Sequence, residues 1–201
     1  MNFPTLNGQY TIQSLIAEIH AISKTRPPYI MAIDGRGGSG KSTLASRIQA
    51  ACPGSAVVHM DDFYLPSSQR IQLPPCQKEI GADYDWERVF NQILQPLTLG
   101  EEARYQRYDW ETDTMAEWHK VPAEGLVIIE GTYSIRKELA GAENFTIWVE
   151  CPRELRLKRG LERDGEDARQ MWEDNWMVHE DLYVDAQRPR ERADLVVDGT
   201  S

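Results

Sequence analysis

Strands alternating with helices predict a three-layer α/β/α fold around a mostly parallel five-stranded sheet. Three observations carry this: five short apolar runs, helical periodicity between them, and a glycine-rich segment joining the first run to a helix. A chain of 201 residues is long enough for one domain with a well-buried core.

Taken in order, Ile12, Leu15, Ile16, Ile19 and Ile22 recur at helical spacing until Pro27-Pro28 stops them. Tyr29–Asp34 (YIMAID) reads as a buried strand. Helical patterning resumes over Ser42–Ala51 and breaks at Pro53-Gly54. Ala56–Met60 is a second strand and delivers Asp61-Asp62. Residues 65–82, with three prolines and little periodicity, read as a surface loop. Trp86, Val89, Phe90, Ile93, Leu94 and Leu97 form a helical face that Pro96 should end. Leu126–Glu130 and Phe145–Glu150 are further strands, and Pro152 suits the first turn of a helix reaching about Arg163. A helix from about Glu166 to Ala186 puts Ala168, Met171, Trp172, His179, Leu182 and Tyr183 on one side, and Leu195–Val197 is the last strand.

The balance of 22 Lys+Arg against 32 Asp+Glu, a net charge of −10, argues against nucleic acid as a partner. Three cysteines (Cys52, Cys76, Cys151) are too few and too scattered for a disulfide framework or zinc site, and fit reduced thiols in a cytoplasmic protein. The start MNFPTLNGQY has no signal-peptide pattern, and the longest aliphatic stretch, Leu126–Ile129, is far short of a membrane span.

Gly35-Arg36-Gly37-Gly38-Ser39-Gly40-Lys41-Ser42, followed by Thr43, fits the phosphate-loop pattern G-x-x-x-x-G-K-[ST], with a strand before it and a helix after it. Glycines let the backbone turn its N–H groups toward phosphate oxygens, and the helix adds its positive end. Lys41 supplies a charge for the β/γ-phosphates and Ser42 a hydroxyl for Mg²⁺. ATP is the expected donor, because no Asn-Lys-x-Asp guanine-reading element occurs. Glu130, ending the run LVII before Gly131, is placed to bring a second metal-binding oxygen to the sheet's carboxyl edge. Asp61-Asp62-Phe63-Tyr64 leaves its strand at that edge. A hydroxyl acceptor benefits from a carboxylate that takes its proton, whereas a phosphate acceptor would want arginines.

The motifs IDGRGGSGKST (Ile33–Thr43), HMDDFYLP (His59–Pro66), DYDWERV (Asp83–Val89), RYDW (Arg107–Trp110), VIIEGTYS (Val127–Ser134) and RLKRGLERD (Arg156–Asp164) run in one order along the chain. In that order the sequence resembles the uridine kinase and phosphoribulokinase group of P-loop kinases. The resemblance implies one P-loop kinase domain over 1–201, with an acceptor-binding region at 61–120 and a lid with its following helix at 156–187. It implies Asp61 as catalytic base, with Ser42, Glu130 and Asp61 around the metal. It gives Asp85 and the Tyr108-Asp109 pair to the acceptor, beside Asp62 and Tyr64, and makes Arg159 and Arg163 lid arginines that close over the phosphates with Lys41. The chain departs from the group where Asp62 replaces a serine, where Trp86 replaces a histidine, and where no His-Ser-Arg follows Asp109. Kinase chemistry therefore carries over better than uridine itself, and the base is open between Asp61 and Asp62.

The expected activity is transfer of the ATP γ-phosphate to a hydroxyl of a nucleoside or sugar-like small molecule. Two alternatives stand beside it. One is a nucleotide-dependent ATPase switch that binds a protein partner. The other is a kinase for a pantothenate- or glycerate-like acid, which would need a fixed arginine such as Arg88 or Arg107. A homo-oligomer is open. Charge is partitioned along the chain: residues 61–117 hold twelve acidic against five basic side chains, while 35–50 hold three basic and none acidic. That partition favours an uncharged acceptor.

Overall fold

The computed structural model describes residues 5–6, 11–22 and 27–200. Most of MNFPTLNGQY, and the side chains of Ile19, His20 and Ile22, lie outside the described residues. Strands β1 (Tyr29–Asp34), β2 (Ala56–His59), β5 (Leu126–Glu130), β6 (Phe145–Glu150) and β7 (Leu195–Asp198) form a five-stranded sheet in the order β2-β5-β1-β6-β7. Every pairing in it is parallel, with Ile33 opposite Glu130 and His59 opposite Glu130 at the carboxyl edge. Strands β3 (Ala103–Asp109) and β4 (Thr114–Val121) pair antiparallel as a separate hairpin. The RYDW segment ends β3 at Asp109 and puts Trp110 in the turn that follows.

Alternation within the strands makes the layers. Met31, Ile33, Ile128 and Ile147 face a core closed by α1 (Ile12–Ile22) through Leu15 and by α2 (Lys41–Ala51) through Leu44 and Ile48. Ile30, Ala32, Val127, Ile129 and Trp148 face the opposite core, with Val89, Ile93 and Leu97 from α3 (86–98). Pro96 does not end α3. A wider π-turn at Phe90–Leu94 shifts the hydrogen-bond register just ahead of the residue that has no N–H to give.

Helix α4 (Arg153–Asp164) and the run 166–187 cover the phosphate loop. That run is a 3₁₀ turn, one α-turn, a π-turn at Trp172–Trp176 and then α5 (Met177–Gln187). The π-turn breaks the single helical face the spacing predicts. Trp172, His179 and Tyr183 are buried, but Met171, on the other side of the phase shift, is 47% exposed. Cys52 and Cys151 are buried free thiols and Cys76 is an exposed one. No helix among the described residues is long and apolar enough to cross a membrane.

Candidate active site

The sheet's carboxyl edge opens into a cavity of about 550 Å³. Its first wall is the loop leaving β1. Asp34, fully buried, accepts hydrogen bonds from the N–H groups of Gly35 (2.6 Å), Tyr133 (3.2 Å) and Ile135 (3.1 Å) and from the Tyr183 hydroxyl (2.8 Å), which anchors the loop's root. Burial nonetheless pushes its carboxyl up. Gly38 has φ 74°, and a Cβ there would stand 2.5 Å from the Arg156 carbonyl oxygen on α4. The Gly37 N–H donates to Glu180 Oε1 at 2.7 Å, and Glu180 Oε2 takes Arg156 at 3.1 Å. Lys41 Nζ donates to the Arg36 carbonyl (3.1 Å) and toward Thr132 Oγ1 (3.5 Å). Gly37, Gly38, Gly40, Lys41, Ser42 and Thr43 line the cavity, whereas Gly35 packs against Val149 and Ser39 is fully buried.

Glu130, 6% exposed, lies across from Lys41. Its Oε2 accepts from Ser42 Oγ at 3.3 Å, and its Oε1 lies 2.6 Å from His59 Nδ1. Burial alone would raise its carboxyl, but the His59 hydrogen bond and Lys41 together bring it below the usual range. His59 is raised in turn by that hydrogen bond. Asp61 follows in the 3₁₀ turn Met60–Phe63 and opens onto the cavity, with the Tyr84 hydroxyl donating to it at 3.4 Å. Surrounding protein and then the Glu130 charge raise its carboxyl. Asp62 turns away from the cavity and accepts from the Tyr105 hydroxyl at 2.8 Å. Among the described residues no three His, Cys, Asp or Glu side chains form a metal-binding cluster.

The far end is aromatic. Tyr64 stacks on Trp110 (centroids 4.4 Å apart), meets Tyr84 edge-on (5.0 Å), and its hydroxyl bonds Arg70 (3.2 Å) and the Trp176 side chain. Asp83 lines this end as a buried ion pair with Lys78, at 2.9 and 3.0 Å.

Of the acceptor-side candidates, Tyr64 lines the cavity and the other four do not. Asp85 caps α3 by accepting from Arg88 N (3.0 Å), Tyr108 donates to Asp113 (2.7 Å), and Asp109 accepts from Glu111 N (3.0 Å). Arg159 and Arg163 both line the cavity. Arg159 is pinned by the carbonyls of Gly199 (2.7 Å), Thr200 (3.3 Å) and Gly38 (3.4 Å), while Arg163 pairs with Asp164 at 2.7 Å over the Trp172 ring. Sequence reasoning missed Asp34, Thr132, His179 and Glu180 as parts of this region, and gave Asp83 no role beyond its place in the DYDWERV motif. Asp34 had a signal, the acid directly before the glycine loop. Glu180 and His179 had none, because helical spacing reads them as one polar and one core position.

The sequence model of the phosphoribulokinase / uridine kinase family matches residues 30–199. A uridine kinase of Ureaplasma parvum is 24% identical over 156 residues, covering 74% of this chain and 75% of its own. A uridine kinase of Bacillus mycoides is 25% identical over 174 residues, 82% of this chain and 78% of that one. A Bacillus stearothermophilus structure described as a possible uridine kinase superposes with a TM-score of 0.71 at 25% identity, over 92% of this chain and 96% of that one.

Proposed function

The chain belongs to the phosphoribulokinase / uridine kinase family and is an ATP-dependent kinase, and we propose that it phosphorylates a hydroxyl of an uncharged nucleoside- or sugar-like acceptor. The observation that carries this is the split between neighbouring aspartates: Asp61 opens onto the cavity while Asp62 is turned to Tyr105. In this reading Asp61 takes the acceptor's hydroxyl proton as the new O–P bond forms and the bond from the γ-phosphorus to the ADP oxygen breaks. Lys41 and the loop amides bind the phosphates. Arg159 and Arg163 border them.

Mg²⁺ fits the donors present. Ser42 Oγ, Glu130 and Asp61 offer only hard oxygen ligands, and Glu130 is held ionised. When bound, the ion would screen and orient the phosphate oxygens.

Support for an uncharged acceptor comes from four cations around the far end, each of which already has at least one partner. Lys78 pairs with Asp83, Arg70 with Tyr64 and Asp113, and Arg107 with Glu117. Arg88 donates to the Gln106 carbonyl at 2.6 Å and covers Phe63. The test is ATP-coupled ADP release with uridine, D-ribose, D-fructose, pantothenate and D-glycerate. Stimulation by a neutral hydroxyl compound is expected. Stimulation by the acids alone overturns the acceptor class, and hydrolysis unmoved by every compound favours the ATPase switch.

A further inference from the structure

We propose that His179 is a specificity-determining residue that hydrogen-bonds a second hydroxyl of the acceptor, which makes the acceptor a ring carrying at least two hydroxyls. This rests on the kinase reading above and deepens it.

His179 projects from α5 and lines the cavity with only 7% of its surface exposed. Its Nε2 is buried and has no hydrogen-bond partner among the described residues. A buried polar atom left without a partner is costly, so its retention calls for an explanation such as a ligand. Lys78 and Asp83 are the charged groups that act on this ring, and they neutralise each other. Burial, more than either, pulls the imidazole below its ordinary range, so the ring is neutral near pH 7 and can donate from one nitrogen and accept at the other.

The surroundings select the ligand's shape. Tyr64, Trp110, Tyr84 and Trp176 make an apolar wall suited to the face of a ring. That wall is tied to the reaction centre, because the Tyr84 hydroxyl bonds Asp61. The next residue of α5, Glu180, holds the Gly37 N–H of the phosphate loop. Neighbouring residues of one helix therefore touch both ends of the cavity. An acceptor with one hydroxyl at Asp61 has its remaining polar edge available to His179. Asp83 adds a carboxylate beside it, both of whose oxygens already accept from Lys78. The imidazole Nε2 is a buried polar atom at this end with hydrogen-bonding capacity left over.

The experiment compares wild type, His179→Phe and His179→Gln in ADP release with uridine, D-ribose and D-fructose, alongside binding of a fluorescent ATP analogue and thermal melting. For whichever ring acceptor stimulates the wild type, His179→Phe should raise its KM at least about tenfold with kcat within about threefold. ATP-analogue affinity should stay unchanged, and His179→Gln, which keeps a hydrogen-bonding group, should recover part of the loss. A single monodeoxy analogue of that acceptor should be penalised by the wild type and not by His179→Phe. An unchanged acceptor KM in a His179→Phe protein that melts normally overturns the role of His179 and leaves the kinase reading intact. If His179→Phe does not fold, an unchanged acceptor KM in a folded His179→Leu, which likewise has no hydrogen-bonding group, has the same overturning force. Stimulation by pantothenate or D-glycerate alone overturns the ring acceptor. No stimulation by any compound removes the proposed acceptor class and this inference together.

Discussion

At the phosphate end of the cavity one continuous stretch, 35–42, supplies the loop backbone, Lys41 and Ser42, whereas the acceptor end draws Tyr64, Asp83, Trp110 and the Trp176–His179 turn from four separated stretches. The first end is set by backbone conformation, with Gly38 in the left-handed region against α4. The second is set by side chains that stack and pair with one another. A phosphate is the same object in every nucleotide, so a local backbone cradle suffices for it. An acceptor's outline is met only by converging side chains, and these can change one at a time without disturbing the loop.

Asp61 is the joint between the two ends, and its substitution should have the largest effect. Asp61→Asn is expected to lower kcat at least about a hundredfold while ATP binding persists. Near-normal turnover would move the proton acceptor to Asp62. Without metal or nucleotide, the Asp61 carboxyl is raised by its surroundings and by Glu130. The stability sign is opposite to that of a salt-bridged acid. A carboxyl raised in the folded state gives up stability as pH climbs through its folded value, so Asp61→Asn should gain in Tm over wild type between about pH 4 and about pH 8. Melting curves at those two pH values read this independently of activity.

The phosphate end alone is addressed by Gly38→Ala. The new Cβ would meet the Arg156 carbonyl oxygen at 2.5 Å with φ at 74°. Left-handed strain of about 1–2 kcal/mol, with the displacement needed to clear α4, should weaken ATP binding by about ten- to thirtyfold. A titration with a fluorescent ATP analogue measures this. If acceptor KM at saturating ATP rises as much as the ATP dissociation constant, the two ends are not separable.

The same contrast explains what the sequence made legible. The five strands and the phosphate loop were readable because each is a local signal: an apolar run, or glycines between a strand and a helix. The acceptor end was not, because its signals are long-range. Tyr108 and Asp109 carry a recognisable motif yet point to Asp113 and Glu111, while Asp83, which opens the DYDWERV motif without an assigned role, lines the cavity. Met171 fell on the wrong side because a π-turn, which spacing cannot reveal, shifts the helical phase between it and His179. The charge partition also changes meaning. Of the twelve acidic residues in 61–117, only Asp61 and Asp83 line the cavity, and Asp83 is neutralised by Lys78. Much of that excess charge sits on the β3–β4 hairpin and its flanks, as in Glu102 with Arg104 and Glu117 with Arg107.

The smallest expected effect is at Arg107, and it is the sharpest test of whether the acceptor end lacks a working cation. Sequence alone makes Arg107 a candidate for holding an acid, since it directly precedes Tyr108-Asp109. In the fold its guanidinium bonds Glu117 on the partner strand, at 2.8 and 3.2 Å, and it does not line the cavity. An exposed cross-strand pair of this kind contributes little, so Arg107→Ala should change kcat/KM for a neutral acceptor by less than about twofold. A carboxylate-bearing acceptor would instead need a desolvated, unpaired guanidinium, and losing it would cost far more than twofold in KM. A large KM effect on D-glycerate or pantothenate in Arg107→Ala would mean that the Arg107–Glu117 pair opens to receive the acid. The acceptor end would then share the logic of the phosphate end, recognition by charge, and the division between the two ends would fail.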